Sequence, residues 1–188
     1  MIKSLIASFL VFLLTVFSVS AQKFSSRSVK PIPFHINKWS ILRTTAASEK
    51  YQTLLAVIKA TDFEDLMDHS GPFTVFAPSN LAFEKLSGTS LEDLMRPDHK
   101  KELKALMSYH IVAGKFSASK ILKALSRGKG KTTFTSLQGD IITATMNGID
   151  IILSDSFGNT ATIVVADANQ QNGIIHEIDA VIRPEKLQ

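Results

Sequence analysis

Serine, histidine and aspartate all occur in this chain of 188 residues, with five histidines and no cysteine. Nucleophilic catalysis would need one such hydroxyl held against a base. The sequence has no GxSxG elbow, and a thiol nucleophile is excluded by composition. His110 follows Tyr109 where a helical pattern hands over to the strand-like HIVAG. A histidine at such a junction can serve as a base or a metal ligand. The competing reading, which we prefer, is a buried ring whose nitrogens tie two segments together. His176 stands between Ile175 and Glu177, where alternation puts it on one face with Ile178 and puts Glu177 with Asp179 on the other; it reads as a satisfied, half-buried residue. His35, His69 and His99 fall in the leader or near loops. No two histidines share close ligand spacing and HExxH is absent, so neither zinc nor any other cofactor is expected. Gly130-Lys131-Thr132 imitates the end of a phosphate-binding loop. The first glycine of that motif would be residue 125, which is Leu125, on a segment that reads as helix. Nothing in these patterns supports an enzyme.

The charges are more informative. The chain carries a formal +4 from 21 Lys and Arg against 17 Asp and Glu. Between Glu102 and Asp140 it has no acid, while Lys104, Lys115, Lys120, Lys123, Arg127, Lys129 and Lys131 fall in that interval. Lys120 and Lys123 share a helix side, and Arg127, Lys129 and Lys131 crowd the glycine-rich loop that follows. Such a stretch can attract acidic polysaccharide, lipopolysaccharide phosphates or a membrane surface. The alternative is an ordinary solvated helix and loop. Export and the lack of interleaved aromatics argue against nucleic acid.

The elements that must position these residues divide into two halves. In the first, Leu54, Leu55 and Ile58 make an apolar helical face. Thr61 with Glu64 forms a capping box before Phe63, Leu66 and Met67, and Ser90 with Asp93 repeats it. Asp98 is expected to cap a helix carrying Leu103, Leu106 and Met107. Ser117 is expected to cap another through Ile121, Leu122 and Leu125 that Gly128 stops. Phe73 to Ala77 reads as a strand covered on both faces, ended by Pro78, with a helix opening at Ser79. From Thr132 the period changes to two. Strands over residues 141–145 and 149–153 flank a turn at Asn147-Gly148, and further strands cover 162–166 and 174–182. Helices first and strands second imply an α+β fold with a mainly antiparallel sheet.

The ends carry their own signals. Lys3, the apolar run from Leu5 and the small residues Val19 and Ala21 read as a signal peptide over residues 1–21. The run falls short of the ~18 residues of a spanning helix. Residues 22–37, with serines, Pro31 and Pro33 and three cations, read as a flexible leader. The domain then occupies residues 38–184 and a short tail 185–188, without an apolar segment for a lipid anchor. A cysteine-free exported chain must be held by its core.

Three segments together resemble the fasciclin-like domain family: FTVFAPSNLAF (Phe73–Phe83), the Tyr109-His110 pair in LMSYHIVAGKFS, and NGIIHEIDAVIRP (Asn172–Pro184). The resemblance covers roughly Lys38 to Pro184. It implies a wedge-shaped β-sandwich flanked by helices, with helices mainly in the first half and antiparallel strands in the second. It also implies a non-catalytic adhesion or binding module at a cell surface or in extracellular matrix, meeting a protein or an acidic polysaccharide. The resemblance suggests contacts near Tyr109 and His110 and in the loop from Asp167 to Asn172. Asp167-Ala168 stands where matrix members carry Asp-Ile, and no RGD occurs, so animal-type integrin binding is not expected. A small-ligand or lipid carrier in the periplasm is the second reading; a closed apolar pocket would favour it.

Overall fold

The structure, a computed structural model, describes residues 39–86 and 90–185. The expected signal peptide, the leader and most of the tail lie outside the described residues.

Helix α1 (Ile41–Ala46) opens at Ser40, whose Oγ accepts from Arg43 N. A 3₁₀ turn (Glu49–Tyr51) leads into α2 (Gln52–Ala60), which buries Leu54, Val57 and Ile58 on one side. The expected capping box at Thr61 does not form. The Thr61 hydroxyl donates back to the Val57 carbonyl at 2.7 Å, ending α2 instead of opening the next helix. α3 (Glu64–His69) starts after Phe63, which contributes no capping atom. Strand β1 (Phe73–Pro78) is buried along its whole length. Ser79 caps α4 (Asn80–Glu84) by accepting from Ala82 N. Asn80 instead accepts from Thr53 N and donates to the Glu49 carbonyl, fixing α4 to the start of α2. Ser90 opens α5 (Leu91–Leu94) as expected. Asp98 does not cap α6 (Lys100–Tyr109); it lies in a 3₁₀ turn and accepts from Arg96. Strand β2 (Ile111–Ala113) and helix α7 (Ala118–Arg127) follow.

Five further strands complete one sheet: β3 (Lys131–Thr135), β4 (Ile141–Asn147), β5 (Asp150–Ser154), β6 (Thr160–Gln170) and β7 (Gly173–Ile178). Their order is β2-β1-β7-β6-β5-β4-β3. All pairs are antiparallel except β1 with β7, which run parallel from Phe73 beside Gly173 to Pro78 beside Ile178. Register slips at Ile163/Val165 and Val165/Ala168 bend β6, so it serves both β7 and β5. The two ends of the order then meet: Val112 bridges Ser136, and Leu137 N–H donates to the Ile111 carbonyl at 2.8 Å. The sheet is thereby folded over on itself, in an α+β fold with helices first and strands second as expected.

Two local expectations shift. The β4–β5 turn sits at Gly148-Ile149, because Asn147 pairs with Asp150. Of these residues only Gly148 has positive φ (61°), as a first-position glycine of a II′ turn does. The closing strand ends at Ile178, not Ile182. Gly173 is held by space: a Cβ there would lie 2.1 Å from the Phe73 carbonyl oxygen, across the parallel pair.

β1 divides two cores. Phe73, Val75 and Ala77 pack with Leu54, Ile58, Met67 and Leu106 beneath the helices. Phe76 faces the other way, with Tyr109, Ile121, Leu125, Phe134, Leu153 and Ile178 inside the folded sheet. α7 covers this second core with Ile121 and Leu125 and leaves its flank free.

Candidate functional site

The acid-free stretch folds into a groove between α7 and the outer edge of β3. On α7, Lys120, Lys123, Ala124 and Arg127 fall at i, i+3, i+4 and i+7, one side of the helix adjoining the face that buries Ile121 and Leu125. Across from them the groove is lined by four consecutive residues, Thr132 to Thr135. In a strand successive side chains point to opposite faces, so a continuous run of lining residues means that the groove follows the strand's edge. β3 is the last strand in the order, and beyond Thr135 the Val112–Ser136 bridge closes it against β2. The groove therefore reaches β2 at that bridge and has a cationic wall along α7. Its floor is apolar: Val112, Ala113, Phe116 and Phe134, the two rings meeting edge to face with centroids 5.2 Å apart. Its volume is about 570 Å³, within the range of small-molecule sites. No acidic residue lines it. Lys120 Nζ donates to the Lys115 carbonyl at 2.8 Å. Among the described residues none of the three lining cations is paired with a carboxylate. Lys129 and Lys131, read in the sequence as part of the same surface, are exposed but do not line the groove.

Local chemistry fixes this geometry. α7 ends where Gly130 N–H reaches back to the Leu125 carbonyl at 2.8 Å, with Lys129 at φ 54° in the left-handed region. Gly128 is required there by space: a Cβ would lie 1.9 Å from the Lys131 carbonyl oxygen. The other end of α7 is held by two caps. Ser117 Oγ accepts from Lys120 N, and Asp167 Oδ1 accepts from Ala118 N at 2.7 Å. Asp167 does this from β6 with φ 64°, a conformation that Asp tolerates better than most residues. The loop before α7 is pinned by Thr74, which donates to the Gly114 carbonyl and accepts from Phe116 N. His176 completes the clamp: Nε2 donates to the Phe116 carbonyl at 2.7 Å, Nδ1 accepts from Asp167 N, and the ring stacks on Phe76. Burial pushes the His176 pKa down, against opposing pulls from the Phe116 carbonyl and Asp167. It is more deeply buried than its alternating pattern suggested.

The other sequence candidates lie elsewhere. Tyr109 is buried, and its hydroxyl donates to the Ile141 carbonyl at 2.8 Å, with burial raising its pKa. His110 Nδ1 donates to the Leu106 carbonyl at 2.8 Å, and Nε2 accepts from Ile182 N at 3.4 Å. Desolvation pushes its pKa down to about 4, so the ring is neutral at pH 7. Both rings are buried in the fold, Tyr109 1% and His110 2% exposed. Asn172 spends its side chain inside the fold: Oδ1 accepts from Ile41 N, and Nδ2 donates to the Met67 and Ser70 carbonyls. Asp155, which the sequence did not single out, organises the β5–β6 turn. Its carboxylate accepts from Phe157 N, from the backbone and side chain of Asn159, and from Arg183 N. Among the described residues no three His, Asp or Glu side chains are grouped to hold a metal ion.

Fold and sequence now define the class. The Fasciclin domain profile matches residues 49–184, and the chain belongs to that family. It is similar to protein sll1483 of Synechocystis sp., 34% identical over 145 residues, covering 77% of this chain and 73% of that one. Transforming growth factor-beta-induced protein ig-h3 of Sus scrofa is 30% identical over 142 residues, covering 74% of this chain but 19% of the larger protein. Among solved structures, the FAS1 domain pair of the insect cell adhesion molecule Fasciclin I superposes with a TM-score of 0.66. That match has 17% identity and covers 77% of this chain and 51% of the other, a likeness of fold. The family is associated with cell-adhesion proteins and is known as a non-enzymatic module. Among the described residues no helix is long and apolar enough to cross a membrane.

Proposed function

We propose that this chain is an exported, non-catalytic adhesion module that meets acidic polysaccharide at a cell surface or in the surrounding matrix through the cationic flank of α7. The observation that carries this reading is the alignment of Lys120, Lys123 and Arg127 along one groove wall in a stretch free of acids. Exposed cations without a carboxylate partner on a rigid helix attract a polyanion at long range and are screened by salt. Family membership and the signal-like residues 1–21 support the setting outside the cytoplasm.

The test uses the chain from Gln22 onward, on an array of acidic glycans and matrix proteins at two salt concentrations. Salt-sensitive glycan binding, lost when Lys120, Lys123 and Arg127 are all changed to Glu, is the expected result. Salt-insensitive protein binding that survives those changes would refute it and move the contact surface toward the Tyr109 junction or the Asp167–Asn172 loop. A second reading, a carrier of small ligands, is favoured by one observation, the apolar floor of the groove.

A further inference from the structure

We infer that the α7–β3 groove is a binding site for a single-chain amphipathic carboxylate, an acyl chain with one anionic head. This goes beyond the adhesion reading and shares with it only the cationic wall. A hydrated polysaccharide uses the cations, but a floor of Val112, Ala113, Phe116 and Phe134, the two rings meeting edge to face, suits a hydrocarbon chain better than a hydroxylated ring. A hydrocarbon chain buries that floor and gains for every methylene withdrawn from water. The wall opposite the cations is threonine, with hydroxyls and methyls but no second row of charge. One anionic head can meet Lys123 and Arg127, while Lys120 Nζ donates to the Lys115 carbonyl.

The Val112–Ser136 bridge and the Leu137-to-Ile111 hydrogen bond join β2 to β3 at one end of the groove. Arg127 lies at the opposite end, because only Gly128 to Gly130 separate it from the start of β3. The head group is thus directed to Lys123 and Arg127, with the chain end toward the bridge. The Thr74, His176 and Asp167 clamp holds the Phe116 loop and the first turn of α7 without a ligand, so the groove is already shaped for one.

The test is amide chemical-shift titration of the chain from Gln22 onward with sodium decanoate, against acetate, 1-octanol and octylamine. Saturable shifts confined to the groove are expected with decanoate, with much weaker effects from the three controls. Lys123→Glu with Arg127→Glu should weaken decanoate at least tenfold. Ala124→Trp, which fills the groove and keeps every charge, should abolish decanoate binding while leaving salt-sensitive glycan binding intact. The double charge variant serves independently if the tryptophan variant fails to fold. Equal binding of 1-octanol, or decanoate affinity untouched by both variants, would overturn the inference. Glycan binding without decanoate binding would overturn it alone; loss of glycan binding from the native chain would overturn the adhesion reading instead.

Discussion

Acid should destabilise this domain by an amount that His110 largely sets. The ring is 2% exposed between α6 and β2, with Leu106 and Ile182 backbone groups on its two nitrogens. Its pKa is pushed from 6.5 to about 4, chiefly by desolvation and against the Leu106 carbonyl and Asp155. Below pH 6.5 the unfolded chain takes up a proton that the folded chain refuses until about pH 4. The unfolded state thus binds more protons across that window, and stability falls as pH falls through it. At about 1.4 kcal/mol per unit, acidification from pH 7 to pH 4.5 removes about 2.5 kcal/mol through this one ring. That is a large part of a domain stability of about 5–15 kcal/mol. His176, also depressed by burial, acts with the same sign. The assay is urea unfolding followed by circular dichroism at the two pH values, for the native chain and for His110→Gln. Glutamine keeps a donor and an acceptor but does not titrate. The variant should be weaker at pH 7, yet its acid loss should be smaller than the native chain's by about 2.5 kcal/mol. Equal acid losses in the two proteins would refute the reasoning, since the ring would then titrate alike folded and unfolded.

Substitutions at two further positions separate structure from contact. Tyr109→Phe strands the Ile141 carbonyl and should cost about 1–2 kcal/mol in urea unfolding while leaving glycan binding unchanged; the reverse pattern would put the ring at the surface. Asp167→Ala removes the acceptor from Ala118 N and an Asp from a left-handed position, for about 1–2 kcal/mol. Asp167→Asn keeps the acceptor and the tolerance for that conformation and should be nearly neutral. Equal losses from both variants would assign the effect to the charge acting on the helix terminus.

How far the sequence reached follows from the range of the forces involved. Ser79, Ser90 and Ser117 were legible as caps because a cap is settled by the next three residues. Thr61 and Asp98 were not, because each stands between two helical segments. Whether such a side chain ends one or opens the next depends on what packs behind it; Phe63, buried, begins α3 without any capping atom. The strand at Phe73 was legible as covered on both faces, but its parallel partner was not. β1 and β7 lie about a hundred residues apart in sequence, and only the space left at Gly173 lets their backbones meet there. The groove divides in the same way. Its cations repeat along one helix, so their spacing could be read directly. Its floor comes from β2, the loop before α7 and β3, which meet only because the bend in β6 lets the two ends of the sheet close at Val112 and Ser136. Asp167 shows the consequence. Resemblance singled it out as a contact; in the fold its carboxylate accepts from the first turn of α7 and its amide donates to His176. If the groove binds as proposed, Asp167→Ala should weaken that binding by releasing the first turn of α7, which carries the cationic wall, and an unchanged affinity would refute this link.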